Sequence, residues 1–145
     1  MDGATDGAVL MSFGSIAKSS EMSPDLKEIF TGAFKSMPNL KFLWKYESEN
    51  DPLVEAPNII KKKWLPQNDL LYHPNLRVFI THCGLNSLFE SAYAGVPLIC
   101  IPLFGDQLRN AKIVEKRGIS ISLHKNTLSS MALKTAINEI MLNDK

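Results

Sequence analysis

Arg77-Val78-Phe79-Ile80-Thr81-His82-Cys83-Gly84-Leu85-Asn86-Ser87-Leu88-Phe89-Glu90 is the stretch that decides the fold. Its first five residues form a short apolar, β-branched run and read as a buried strand. Gly84 lets the backbone turn tightly, and Leu85, Leu88, Phe89 and Ala92 then recur with helical spacing. Gly95, with Pro97 just beyond, is the punctuation that closes a helix. A strand, a glycine turn and a fresh helix N-terminus make an anion site, because unpaired N–H groups and the positive end of the helix dipole point outward there. If the helix starts at once, His82, Asn86 and Glu90, spaced four apart, share a face. The histidine nearest the turn then suits a phosphate, and a carboxylate one turn on suits a sugar hydroxyl. The competing reading is the polar, solvated face of an ordinary helix.

Outward from this centre, strands and helices alternate. Ala8 to Phe13 reads as a first strand ending at Gly14-Ser15, a turn where backbone N–H groups either meet a phosphate or simply connect to the next helix. Ser23 as N-cap, Pro24 in first position and Asp25 on the dipole announce that helix. Leu26, Ile29, Phe30, Ala33, Phe34 and Met37 give it a core stripe. Lys41 to Tyr46 is a second strand, with Trp44 packed against a helix, and the polar stretch from Glu47 to Pro57 is a loop. Asn58-Ile59-Ile60 opens a third strand whose lysines, Lys61 to Lys63, form a solvated end.

Trp64-Leu65-Pro66-Gln67 follows at that strand's end. An indole face stacks on a planar base, and a carboxamide pairs with a base edge or a ribose. Equally, this is a half-buried tryptophan beside a surface glutamine. A helical turn from Asn68 to His73 precedes the central strand. After Gly95, Leu98 to Ile101 is a buried strand, and Asp106 either caps the next helix or, with Gln107, offers polar groups to sugar hydroxyls. That helix runs to Gly118, Ile119 to Leu123 is the last strand, and Ser129 or Ser130 begins the final helix. Helix-length crossovers imply a mostly parallel, doubly wound α/β sheet. The polar candidates all fall at strand C-terminal ends, where ligands bind such sheets.

The 145 residues suffice for one domain spanning 1–145, and 45% hydrophobic with 21% charged residues is ordinary globular composition. A formal net charge of +1 gives no field for nucleic acid or an anionic membrane. No window has the length of a membrane helix and the N-terminus lacks signal-peptide character, so the expectation is a soluble chain without membrane contact. Cys83 and Cys100 have no metal-ligand spacing and suggest no disulfide framework. Cys100 reads as inert core, Cys83 as either a packed small residue or an exposed thiol, and together they favour a reducing compartment.

Trp64-Leu65-Pro66-Gln67-Asn68-Asp69-Leu70-Leu71, His73-Pro74, Phe79-Ile80-Thr81-His82, Gly84, Asn86-Ser87, Glu90, Gly95-Val96-Pro97 and Ile101 to Gln107 resemble the signature of the UDP-glycosyltransferases. The resemblance is to the animal UDP-glucuronosyltransferase branch and covers nearly the whole chain. It implies the Rossmann-like, C-terminal, donor-binding domain of a GT-B enzyme, with the acceptor-binding N-terminal domain absent from these residues. It further implies that Trp64 stacks on uracil, Gln67 contacts base or ribose, and Glu90 binds the ribose hydroxyls. Ser15, His82, Gly84, Asn86 and Ser87 would hold the diphosphate, and Asp106 with Gln107 would read the sugar. His82 would stabilise the leaving diphosphate. The general base of the family belongs to the N-terminal domain, so no catalytic base is expected in this chain. The donor would be UDP-glucuronate or UDP-glucose, with no metal or other cofactor, and the acceptor a small lipophilic molecule. Full-length relatives suggest the lumenal side of the endoplasmic reticulum membrane. The family usually carries glycine where Cys83 stands. The other function considered is a non-catalytic UDP-sugar-binding module or partner of a full-length transferase. A dinucleotide-binding domain is disfavoured because no G-x-G-x-x-G follows the first strand.

Overall fold

The computed structural model of the chain describes residues 6–13, 22–47, 51, 54–102, 107–118, 120–124 and 126–143. Among them, six strands and five helices follow in the order β1 (Ala8–Ser12), α1 (Pro24–Lys35), β2 (Lys41–Lys45), β3 (Ile59–Lys62), α2 (Gln67–Leu71), β4 (Leu76–Thr81), α3 (Leu85–Ala94), β5 (Leu98–Cys100), α4 (Gln107–Lys116), β6 (Ser120–Ser122) and α5 (Ser130–Asn143). The sheet order is β3-β2-β1-β4-β5-β6. Every pairing in it is parallel. The strand order reverses between β1 and β4, whose C-terminal ends therefore border the crevice of a doubly wound sheet.

Two apolar layers flank this sheet. On one face Val9, Met11, Phe42, Trp44, Val78 and Ile80 meet α1 and α5; on the other Leu10, Leu43, Phe79, Leu98 and Cys100 meet the side of α2 and α4. The alternation of odd and even strand residues between the layers is the period-two geometry of a sheet buried on both sides. Aromatic rings tie α1 to β2: Phe34 stacks on Phe42 at 4.0 Å, and Trp44 meets Phe30 edge-on at 5.7 Å. Such pairs add about 0.5–1.5 kcal/mol each beyond the area they bury.

Local chemistry sets the helix ends. Ser23 Oγ accepts from the Leu26 N–H at 3.2 Å, Pro24 occupies the first position and Asp25 the first turn of α1. Gly95 caps α3 in the left-handed region at φ 74°. Ser129 Oγ accepts from the Ala132 N–H at 3.0 Å and starts α5. At the far end of α1 the buried Asn58 amide donates to the carbonyls of Phe34, Met37 and Leu40 at 2.9, 3.0 and 3.3 Å. It joins the loop before β3 to the helix terminus.

Lys61 differs from the solvated strand end expected of it. Its ammonium donates to the Asp51 carbonyl at 2.9 Å and pairs with Glu55 at 3.4 Å. Lys27 pairs with the Asp51 carboxylate at 2.8 Å, and the Tyr46 hydroxyl donates to the same oxygen. The hydrogen bond to Asp51 raises the Lys27 pKa above 10.5. Burial, then the bond to Asp51, raises that of Tyr46 above 10.0. Among the described residues no helix is long and apolar enough to cross a membrane.

Candidate functional site

The C-terminal edge of β4 passes through three residues, His82, Cys83 and Gly84, before α3 begins. Its tight turn is made at Cys83, which holds a left-handed φ of 69°, and not at Gly84, whose φ of −67° suits any residue. Glycine is needed at 84 for another reason: a Cβ there would lie 2.8 Å from His82 Cε1. Gly84 thus lets the imidazole fold back over the turn.

Since α3 starts at Leu85, His82 lies before the helix. The shared face expected for His82, Asn86 and Glu90 is therefore limited to Asn86 and Glu90, one turn apart. The Gly84 N–H donates to His82 Nδ1 at 3.3 Å, and Thr81 Oγ1 lies 3.3 Å from the same nitrogen. With Nδ1 accepting, the neutral ring carries its proton on Nε2 and can donate from there. Phe13, just beyond β1, meets the ring edge-on at 6.4 Å. The N-terminus of α3 has no side-chain cap and no acidic residue in its first turn, so its N–H groups keep their affinity for an anion.

Gln67, Ser87 and Glu90 come together across the start of α2 and the inner side of α3. Gln67 Nε2 donates to Glu90 Oε1 at 3.1 Å and lies 3.5 Å from Ser87 Oγ. This bond spends one Gln67 donor on Glu90 and leaves the carboxylate acceptor sites for hydroxyl groups. Three residues before Gln67, Trp64 follows β3 with 72% of its surface exposed. Asn86 is exposed on the first turn of α3, and Gln107 is buried as the first residue of α4. Ser15 and Asp106 lie outside the described residues.

The cysteine reading is corrected. Cys83 and Cys100 form a disulfide, with Cα atoms 5.5 Å apart, and both residues are fully buried. Parallel pairing causes it: Thr81 lies opposite Cys100, which places Cys83, just past the strand, beside the end of β5. The pairing removes the ground on which a reducing compartment was expected. Two contributors went unnoticed in the sequence. Asn110 on α4 donates to the Cys83 carbonyl at 3.1 Å, and Thr81 Oγ1 accepts from the Cys83 N–H at 3.4 Å. Asn110 sits at a helical spacing like any surface residue, and no local signal marks it.

A doubly wound parallel sheet with polar groups at its switch point defines the chain as an α/β domain of the GT-B glycosyltransferase fold. The glycotransferase of kitacinnamycin superposes with a TM-score of 0.83 at 26% identity over 97% of this chain and 36% of that one. Os79 from O. sativa, solved in complex with UDP, superposes with a TM-score of 0.77 at 25% identity over 96% and 32%. Residues 2–145 match the family described as UDP-glucoronosyl and UDP-glucosyl transferase, and the chain belongs to that family. It is 45% identical over 127 residues to the putative UDP-glucuronosyltransferase ugt-56 of Caenorhabditis elegans, across 86% of this chain and 24% of that protein. It is 35% identical over 145 residues to UDP-glucosyltransferase 2 of Dactylopius coccus, across 100% and 27%. The chain thus spans about a quarter of the length of these curated relatives.

Proposed function

We propose that this chain is the donor-binding part of a UDP-glycosyltransferase, holding a UDP-sugar over the β1–β4 switch point for transfer of a hexosyl or glucuronosyl group. The observation that carries the reading is the Gln67–Glu90 pair at 3.1 Å beside the uncapped N-terminus of α3. Acceptors suited to ribose hydroxyls and N–H donors suited to phosphate then lie one helical turn apart, which supports the reading. Uracil stacks on Trp64, Gln67 reaches the base or ribose, and Glu90 accepts from the ribose hydroxyls. His82 Nε2, Ser15 and the N–H groups at Asn86 and Ser87 hold the diphosphate, with Gly84 at the turn and its N–H orienting His82. Asp106 and Gln107 read the sugar.

In the reaction an acceptor oxygen attacks the anomeric carbon as its bond to the diphosphate oxygen breaks. The departing UDP gains negative charge, and His82 with the α3 terminus stabilises that charge more than it stabilises the bound donor. The proton lost by the acceptor passes to a base on an acceptor-binding domain, which also supplies the pocket for a small lipophilic molecule. The presence of UDP in the Os79 structure, and the glucuronosyl and glucosyl names of the relatives, support UDP-glucuronate or UDP-glucose as donor.

Calorimetric titration of the chain with UDP, UDP-glucose and UDP-glucuronate tests the reading. Saturable UDP binding with a preference between the two sugars is expected. A folded chain that binds none of them would overturn it.

A further inference from the structure

We propose that the Cys83–Cys100 bond is a thiol–disulfide exchange site that latches the diphosphate turn: the oxidised chain binds UDP, reduction loosens it, and bound UDP shields the bond from reductant. This rests on the nucleotide reading of the same turn. Cys83 is an L-residue held at φ 69°, a region its Cβ disfavours. That conformation presents the Gly84 N–H to His82 and starts α3 at Leu85. Besides the disulfide, two hydrogen bonds hold the residue, from its N–H to Thr81 Oγ1 at 3.4 Å and from Asn110 Nδ2 to its carbonyl at 3.1 Å.

Reduction changes the space that the two sulfurs need. Bonded sulfurs sit about 2.0 Å apart, whereas non-bonded heavy atoms need roughly 3.5–4 Å. Both cysteines are fully buried, between the turn and β5, so the extra separation has to be taken up by the packing around them. The side free to yield is the turn, because Cys100 is fixed in the sheet between β4 and β6. Moving Cys83 out of the left-handed region re-aims the Gly84 N–H, which orients His82, and the first N–H groups of α3, which the diphosphate uses.

The exchange balances with a dithiol as reductant. One of its thiolates attacks a sulfur of the Cys83–Cys100 bond and forms a mixed disulfide. Its second thiolate then displaces the protein sulfur. The reductant leaves as a cyclic disulfide, and two electrons with two protons end on the Cys83 and Cys100 thiols. Because the bond is buried, attack requires the turn to open, and a ligand that holds the turn closed slows that attack. By linkage, whatever factor reduction takes from UDP affinity, UDP returns to the stability of the disulfide.

The test uses the 145-residue chain, dithiothreitol as the dithiol and UDP as the ligand. Thiol titration in denaturant should find no free thiol before treatment and two after it. Calorimetry should show the UDP Kd rising roughly 5- to 30-fold on reduction, the scale of one lost left-handed constraint. Saturating UDP should slow the appearance of thiols. The double variant Cys83→Gly/Cys100→Ala should bind UDP with a Kd indifferent to dithiothreitol, since glycine enters the left-handed region without strain. Equal Kd values for oxidised and reduced chain, two free thiols before treatment, or loss of the circular dichroism spectrum on reduction would each overturn the latch. Absence of UDP binding by all three folded forms would overturn the nucleotide reading itself and the latch with it.

Discussion

Replacing Trp64 by alanine separates a binding role from a structural one. The indole is 72% exposed, whereas the other tryptophan, Trp44 on β2, is fully buried against Phe30 and Phe34 of α1. Truncating so exposed a side chain changes stability by no more than about 0.5 kcal/mol. Stacking of a base on an aromatic ring is worth about 1–3 kcal/mol, a rise in Kd of roughly 5- to 150-fold. Trp64→Ala should therefore weaken UDP binding by that factor and leave the thermal midpoint within about 2 °C of the parent. Trp64→Phe should fall between the two. Fluorescence supplies an internal control, because the chain contains 2 tryptophans in opposite environments. UDP should quench the red-shifted emission of Trp64 and spare the blue-shifted emission of Trp44, and the quench should vanish in both variants. An alanine variant that binds UDP within twofold of the parent and keeps the quench would refute the stacking assignment.

Gly84→Ala places a methyl group 2.8 Å from His82 Cε1 and 3.2 Å from Nε2, so the ring must leave its place over the turn. The atoms it meets are the end of a partly exposed side chain that can swing away, so the effect should fall on binding more than on stability; a UDP Kd that stays unchanged by calorimetry would remove His82 from the site. On the alkaline side, Lys27 and Tyr46 both hold their protons more tightly folded than unfolded. Their contribution is fully present below the unfolded values of 10.0 for Tyr46 and 10.5 for Lys27, and is lost as pH rises through the raised folded ones. The urea midpoint should therefore fall as pH climbs above 10.0, and the fall should be shallower in Tyr46→Phe; an identical profile in the variant would separate Tyr46 from that titration.

What the sequence made legible was local or periodic. Ser23, Pro24 and Asp25 announce α1 within three residues, and Gly95 marks the end of α3, since caps act through neighbouring backbone groups. The stripe from Phe30 to Met37 and the runs at β1, β4 and β5 showed their burial by spacing alone. Gln67 and Glu90 each fall near a strand's C-terminal end by motif position, but no spacing in the chain encodes their 3.1 Å contact. Features made by strand pairing stayed hidden. Seventeen residues separate Cys83 from Cys100, and only the parallel register of β4 with β5 brings them together. The Asn58 amide, the Lys27–Asp51 pair and the Asn110 contact each join residues more than fifteen positions apart. Gly84 was noticed for the wrong property: its neighbour makes the left-handed turn, and the missing Cβ makes room for an imidazole.

The chain's last helix covers its first. Ser130 Oγ donates to the Ile29 carbonyl at 2.6 Å across 101 residues of sequence, and Leu133, Ala136, Ile137 and Ile140 complete the layer that holds Phe30 and Phe34. On a ribosome adding roughly 5–20 residues per second, α1 would emerge about 5–20 s before its cover. Throughout that interval its apolar stripe can be shielded by chaperones or by the incomplete sheet, but not by its native partner. The layer over α1 is therefore complete only once α5 is present, and a stop before residue 130 would leave Phe30 and Phe34 without that part of their native cover.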